Sequence, residues 1–550
     1  MSKFVNFQHP YEINPKYKKK AAYFCMEYAV DQALKTYSGG LGFLAGSHMR
    51  AAFQLRQNLV GIGVLWKYGY YDQIRAADNN MDVRFIEKVY NFLEDTGIEY
   101  FIEIHNHDIK VKVYYLNPET FGTAPIFFLT TDLPENDYLA QTTSYRLYDA
   151  NTSAKIAQYI LLGIGGMRLL EIIGFDADIH HFNEAHPLPG AFYLYNKNKD
   201  LEKVKKQLVF TTHTPVASGN EIHNVLHLDS MSYFSGLTLH EVKEITGFEG
   251  NELNLTLSML RMSKLANAVS AKHGEVSRAM WGDHANICPI ISVTNAQDEV
   301  YWMDKEMRQA VKDQNIKKIK ARKKEFKQML LAEVADQTGK LFDPDALTIV
   351  WARRFAPYKR AELLTHDLER FKRIINNSDK PVQFIWAGKP YPADYGAIAV
   401  FNHLIDFSKK HNNCAVMVGY ELRLSKVLKQ GSDVWLNNPR IGKEASGTSG
   451  MTAAMNGSIN FSIPDGWVPE FARHNWNCFA SPPADEHQPE HIQDAHDLKH
   501  LLDMLEYEVI PKYYDDPEGW GQMMLNSMTS ILPYFDAKRM ADEYYAKLYK

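Results

Sequence analysis

Cysteine is scarce in this chain of 550 residues: Cys25, Cys288, Cys414 and Cys478 lie far apart and form no C-x-x-C pair. That spacing excludes a zinc ribbon and a disulfide framework and predicts reduced, buried thiols. Long apolar runs are missing as well. The longest, residues 159–170 (YILLGIGGMRLL), falls short of the ~20 residues a membrane-spanning helix needs, and the opening MSKFVNFQHP carries no apolar signal core. A cytoplasmic protein without a membrane partner is expected. No excess charge of one sign is available either: 61 Lys and Arg stand against 66 Asp and Glu, a net charge of −5, so no basic field exists to hold nucleic acid. What is present is 45% hydrophobic residues, ample for large cores, in a chain long enough for several domains.

Short β-branched or aromatic runs alternate with longer amphipathic ones, as in residues 59–65 (LVGIGVL), 111–116 (VKVYYL) and 208–212 (LVFTT). This pattern indicates an α/β protein. Residues 301–337 form a charged helical stretch, whose run of residues 317–327 (KKIKARKKEFK) is read as a solvated helix face. Strand candidates resume at 347–352 (LTIVWA), 382–386, 415–418 and 433–436, spaced for crossover helices and hence for a parallel sheet. The expected organisation is residues 1–297 as one Rossmann-like domain, 298–532 as a second, and 533–550 as a terminal helix. Ligand groups in such folds follow the strands.

Several segments meet that condition. Ser38-Gly39-Gly40-Leu41-Gly42 opens a helical segment, and such a turn can offer N–H groups to an anion. Arg353, Arg354, Tyr358, Lys359 and Arg360 follow LTIVWA; cations at this spacing can clamp phosphate oxygens. Residues 433–457 (DVWLNNPRIGKEASGTSGMTAAMNG) join a strand to a Gly/Ser/Thr loop and a small-residue helix, a composition suited to hydroxyl-rich or phosphorylated ligands. The histidine segments HHFNEAHP (180–187) and TTHTPVASGNE (211–221) lack an H-E-x-x-H pattern, so no metal is assigned to His180, His181, Glu184 and His186.

Together these pieces resemble the α-glucan (glycogen, starch, maltodextrin) phosphorylase family, especially its short form. The resemblance runs in order over nearly the whole chain: YFCMEY, YSGGLGFLAGSHMRAA, LVGIGVLWKYGYYDQ, HFNEAHP, FTTHTP, the stretch 257–281, SVTNA, RRFAPYKR, WAGKP, DVWLNNPR, EASGTSGM and EVIPKYY. It implies the GT-B glycosyltransferase fold, two Rossmann-like domains with an interdomain active-site cleft. By the same resemblance, Arg354 and Lys359 hold the reacting phosphate with Arg353 and the Gly39-Gly40 helix start. His213 sits over the transferred glucosyl unit, its carbonyl toward the anomeric centre, while its ring and Asn295 reach the 6-hydroxyl. Glu444, Ser446 and Gly447 bind the 3- and 4-hydroxyls. Partners implied are an α-1,4-glucan or maltooligosaccharide, phosphate and glucose 1-phosphate, and a second copy in a homodimer.

One departure matters most. The family's loop is followed by the lysine that forms an imine with pyridoxal phosphate; this chain has Thr452 there, and a hydroxyl cannot form an imine. Lys443 is not at the matching position. Ala356, Asp298 and Tyr391 stand where family members carry histidine. The first reading is retaining α-glucosyl transfer of the phosphorylase type, with pyridoxal phosphate non-covalent or absent. A second is a retaining transferase using a nucleotide sugar in the pocket of Thr448, Ser449 and Thr452, and a third is a glucan-binding pseudoenzyme.

Overall fold

The computed structural model describes residues 2–550, which divide into two compact units. One comprises residues 1–71, 85–295 and 537–550, the other 72–84 and 296–536. The first is built on a nine-stranded sheet in the order Ile290–Ser292, Leu265–Ala268, Leu208–Thr212, Ile179–Asn183, Ala21–Phe24, Leu59–Val64, Ile126–Thr130, His107–Leu116, Glu94–Ile104. The first seven are parallel and the last two antiparallel. Central strands such as Leu59–Val64 and Leu208–Thr212 are buried at every position, so they read as continuous apolar runs, whereas Glu94–Ile104 alternates because one face meets solvent.

The second unit carries six parallel strands in the order Cys414–Met417, Val382–Ala387, Leu347–Ala352, Val434–Asn437, Ile459–Ser462, Phe479–Ala480. In chain sequence this is 3-2-1-4-5-6, the doubly wound Rossmann order. The parallel part of the first sheet follows the same rule. Each unit therefore has a switch point where the winding reverses: between Ala21–Phe24 and Ile179–Asn183 in the first, between Leu347–Ala352 and Val434–Asn437 in the second. The α/β expectation with two Rossmann-like sheets holds. The core of the second unit packs Val350, Ala352, Leu424, Leu428, Trp435 and Ala453 together.

Three features depart from the sequence reading. The helix Ile316–Thr338 is not wholly solvated: Lys323 and Lys327 are buried, Lys323 donating to Gln430 O (2.6 Å) and Asn456 O (3.1 Å), and Lys327 pairing with Asp433 at 2.6 Å. The terminal segment is not one helix. Pro517–Tyr534 ends at Phe535, whose carbonyl accepts from Gln297 N, and Ala537–Glu543 begins anew. Residues 72–84 form a hairpin, Asp72–Arg75 with Met81–Arg84, that joins the second unit: Gln73 donates to Gly388 O at 2.9 Å and accepts from Gly419 N at 3.0 Å. All four cysteines are free and buried. Among the described residues no helix is long and apolar enough to cross a membrane.

Candidate functional site

At the switch point of the second unit, Arg353 leaves the end of Leu347–Ala352 and its chain is pinned by Gly388. Gly388 adopts φ +145, and a Cβ there would stand 1.8 Å from Arg353 O, so only glycine lets the two backbones approach this closely. Arg353 Nη2 and Lys359 Nζ both donate to Glu444 Oε2 at 2.7 Å. Burial pushes the Glu444 carboxyl up, but Lys359, Arg353 and Arg354 outweigh it and hold the group at about 2. Arg354 is exposed, and Lys359 is buried. Arg360, grouped with these cations in the sequence, points elsewhere: it bonds Asn438 O, Pro439 O, Asp494 and Asp497 and fastens the loop.

The Glu444 loop is held from beneath by Asp465, a residue the sequence reading missed. Asp465 Oδ2 accepts from Lys443 N (3.1 Å) and Glu444 N (2.9 Å), and Oδ1 from Gly466 N (2.9 Å). Burial raises this carboxyl to about 6 against those hydrogen bonds. Ser446 Oγ and Arg353 Nη1 are buried without a hydrogen-bond partner. Because buried polar groups are nearly always satisfied, these two atoms are candidate points for a polar ligand or water. Gly447, at φ +77, lies with its Cβ position 3.4 Å from Arg353 Nη2. Thr448 precedes the helix Ser449–Met455. Thr452 is buried, and its hydroxyl turns back to donate to Ser449 O at 3.0 Å.

In the first unit, the strand ends carry Glu27 and Glu184. Glu27 accepts from Ser38 N, Ser38 Oγ, Gly39 N, Gly42 N and Tyr148 Oη at 2.7–3.2 Å. The N–H of Gly39 is thus spent on Glu27 rather than left for phosphate, a correction to the sequence reading. Around Gly39 and Gly40 no atom comes within 4 Å of a Cβ position, so the start of helix Gly40–Gln54 borders open space. Glu184, at φ +69, accepts from His213 N at 2.6 Å, and burial raises its carboxyl to about 7. His213 Nε2–H donates to Asn183 Oδ1 at 2.7 Å, and burial lowers the imidazole to about 3, keeping it neutral. That leaves Nδ1, not Nε2, for a ligand hydroxyl. Asn295 is buried with Oδ1 unpartnered, which fits a ligand-facing amide.

The histidine segment is structural where it can be followed. His181 bridges Tyr549 Oη and Thr211 Oγ1, each at 2.7 Å. No group of three or more His, Cys, Asp or Glu among the described residues is placed to hold a metal. The signal that could have found Glu27 and Asp465 is their position, an acid three residues past the end of a strand (YFCME, INFSIPD).

Comparison with known proteins agrees with this geometry. A family model described as carbohydrate phosphorylase matches residues 294–475, the stretch containing Arg353, Lys359 and Glu444. The chain is 47% identical to the uncharacterized protein MJ1631 of Methanocaldococcus jannaschii over 97% of its own length and 100% of that protein's. It is 34% identical to the maltodextrin phosphorylase of Thermococcus litoralis (97% of this chain, 71% of the relative). With the glycogen phosphorylase of Aquifex aeolicus the identity is 31% (99% and 88%). Sequence similarity of this extent means that the chain belongs to the carbohydrate phosphorylase family.

Proposed function

We propose that this protein transfers α-glucosyl residues between an α-1,4-glucan and inorganic phosphate with retention at the anomeric carbon. The observation that carries the reading is the cluster at the second unit's switch point: Arg353 and Lys359 on one carboxylate oxygen, with Arg353 Nη1 and Ser446 Oγ buried and unpartnered. These atoms suit an anionic, oxygen-rich ligand.

In the phosphorolytic direction the bond from C1 to the glucan O4 breaks, a C1–O bond to phosphate forms, and O4 takes the proton that the incoming phosphate gives up. Arg354 and Lys359 hold the phosphate and neutralise its charge as the transition state develops. Glu444 has two roles. Its Oε2 keeps Arg353 and Lys359 at fixed separation, and its remaining oxygen accepts from a glucosyl hydroxyl, alongside Ser446 and the backbone of Gly447. In the first unit, neutral His213 and Asn295 hold the 6-hydroxyl end of the sugar, and the His213 carbonyl dipole favours positive charge at C1. Asp465 and Glu184 orient these groups through backbone N–H bonds.

The residues also fit pyridoxal phosphate: the cations and unpartnered donors suit its phosphate, with Thr448, Ser449 and Thr452 beside them. When bound, that cofactor supplies a phosphate able to exchange a proton with substrate phosphate. The Thr452 hydroxyl, turned onto Ser449 O, offers little to a nucleotide ribose, so the nucleotide-sugar reading gains no support. The test is glucose 1-phosphate release from glycogen and from maltohexaose in phosphate buffer, with pyridoxal phosphate added or omitted. Release that depends on the cofactor is expected, and no release under either condition would overturn the reading.

A further inference from the structure

The histidine-rich stretch 487–500 takes no part in the glucosyl site, and its second half places two imidazoles on one face of the helix Glu490–Met504. His496 and His500 bracket the run HDLKH, the i, i+4 spacing that makes helical side chains neighbours. The same spacing brings two histidines onto one zinc ion in helical H-E-x-x-H sites. The two rings lie against each other, their centroids 4.1 Å apart and their planes at 31°. The His496 side chain is 34% exposed and His500 is half-buried, so solvent reaches the pair. His487 and His491 repeat the spacing, but the helix begins at Glu490 and leaves His487 outside it.

Hydrogen bonds decide which nitrogen of each ring is available. His496 Nδ1 lies 3.2 Å from Asp497 Oδ1, and His500 Nδ1 lies 2.8 Å from the His496 carbonyl oxygen. Both oxygens accept, so in the neutral rings Nδ1 carries the hydrogen and Nε2 the lone pair. Metal-ligating histidines are held in this way: the distal N–H is given to a carboxylate or a backbone carbonyl, which fixes the tautomer and the ring's orientation. The carboxylate is itself fixed. Asp497 is wholly buried, and its Oδ2 accepts from Arg360 Nη2 at 2.7 Å. The cations nearby are neutralised, Arg360 and Arg440 by Asp494, Asp497 and Glu490, and Lys499 by Asp503.

We propose that His496 and His500 chelate a divalent transition ion of the class that prefers imidazole, zinc, copper(II) or nickel(II), through their two Nε2 atoms. The proposal is independent of the glucosyl-transfer reading. Among the described residues no third His, Cys, Asp or Glu joins the pair, so water fills the other positions of the ion. Magnesium and calcium, which take oxygen ligands, are not bound. Through Asp497 the ion braces Arg360, which holds Asn438 O and Pro439 O, so the ion stabilises the folded second unit and raises its melting temperature.

The test uses the full-length protein stripped with a chelator and titrated calorimetrically with zinc chloride, with magnesium chloride as the control. A single saturable zinc per chain and no magnesium site are expected. His496→Ala and His500→Ala should each weaken zinc about tenfold or more, at least the loss that follows removal of an outer partner. Lys499→Ala, on the same turn, should leave zinc binding unchanged. On the wild-type protein, modification of histidines by diethyl pyrocarbonate, mapped by mass spectrometry, should show His496 and His500 protected by zinc. This measurement decides the matter even if a variant fails to fold. Absence of saturable zinc binding, binding undiminished in either histidine variant, or protection confined to other histidines overturns the site.

Discussion

Lys359 is bonded to Glu444 in the structure and assigned to phosphate in the mechanism, and a single substitution separates these roles. If it neutralises phosphate, Lys359→Ala removes preorganised charge stabilisation and lowers the phosphorolysis rate about 100-fold or more. Steady-state rates check this, and a loss under about tenfold would leave Lys359 with only its structural pairing. Asp465 acts at one remove. Its ionised carboxyl holds three backbone N–H groups and through them the Glu444 loop. With that carboxyl raised to about 6, acidification through pH 6 protonates it, weakens the acceptors and loosens the loop, so kcat/KM falls on the acid side. Asp465→Asn keeps the shape but loses one acceptor: we expect about a tenfold lower rate, from about 1–2 kcal/mol of lost hydrogen bonding, and an acid limb near pH 6 that flattens. A pH–rate profile unchanged in the variant would remove Asp465 from this role.

At the scale of elements, the strand-to-loop junctions carry the site, and Gly388 is the tightest of them. Gly388→Ala places a Cβ against Arg353 O at a φ that L residues rarely adopt, a strain of about 1–3 kcal/mol. The stability loss should therefore appear together with a rate loss, because Arg353 must shift. Gly396→Ala, where a Cβ meets only Asp394 Oδ1 at 3.4 Å, should be near neutral in both; thermal melts and rates on the pair check this. The junctions after continuous apolar strands were legible in the sequence, since burial on both faces leaves an uninterrupted β-branched run: Leu347–Ala352 and Val382–Ala387 stand out this way. Ile459–Ser462 did not, because its buried Asn460 and Ser462 look like loop residues until their partners Gly450 O and Ile463 O are seen. The cations of the site were legible from their position after a strand. Glu27 and Asp465 carried only the faint signal of an acid a few residues past a strand, since the contacts that define them are made to loops elsewhere in the chain. The burial of Lys323 and Lys327 escaped for the same reason.

For the molecule as a whole, the histidines of lowered basicity are distributed unevenly. His9, His48, His180, His181, His186, His213 and His273 are all pushed down from the usual imidazole value, chiefly by burial, and all belong to the first unit. In the second unit His411 is pushed down in the same way; Lys323, lowered to about 7 by burial, has taken up its proton before the mildly acid range. A base whose folded value is depressed binds its proton more readily when unfolded, so stability is fully present above the ordinary value of 6.5 and falls as pH drops toward the folded value. For the fully buried His48, His180 and His273, lowered to about 3–4, this amounts to ~2 kcal/mol each at about pH 5. Glu184, raised to about 7, opposes the trend in the first unit, and Asp465 does so in the second, one group in each. Glu221 and Glu444, held at about 2, contribute their stability above the ordinary carboxylate range and lose it only at lower pH. The first unit should therefore lose structure at a higher pH than the second. Of nine tryptophans, only Trp66 and Trp281 lie in the first unit, so the tryptophan emission reports mainly on the second, whereas far-ultraviolet circular dichroism reports on both. On acidification from pH 7, ellipticity should begin to fall before the emission shifts; simultaneous change, or emission moving first, would refute the uneven coupling of the two units to protons.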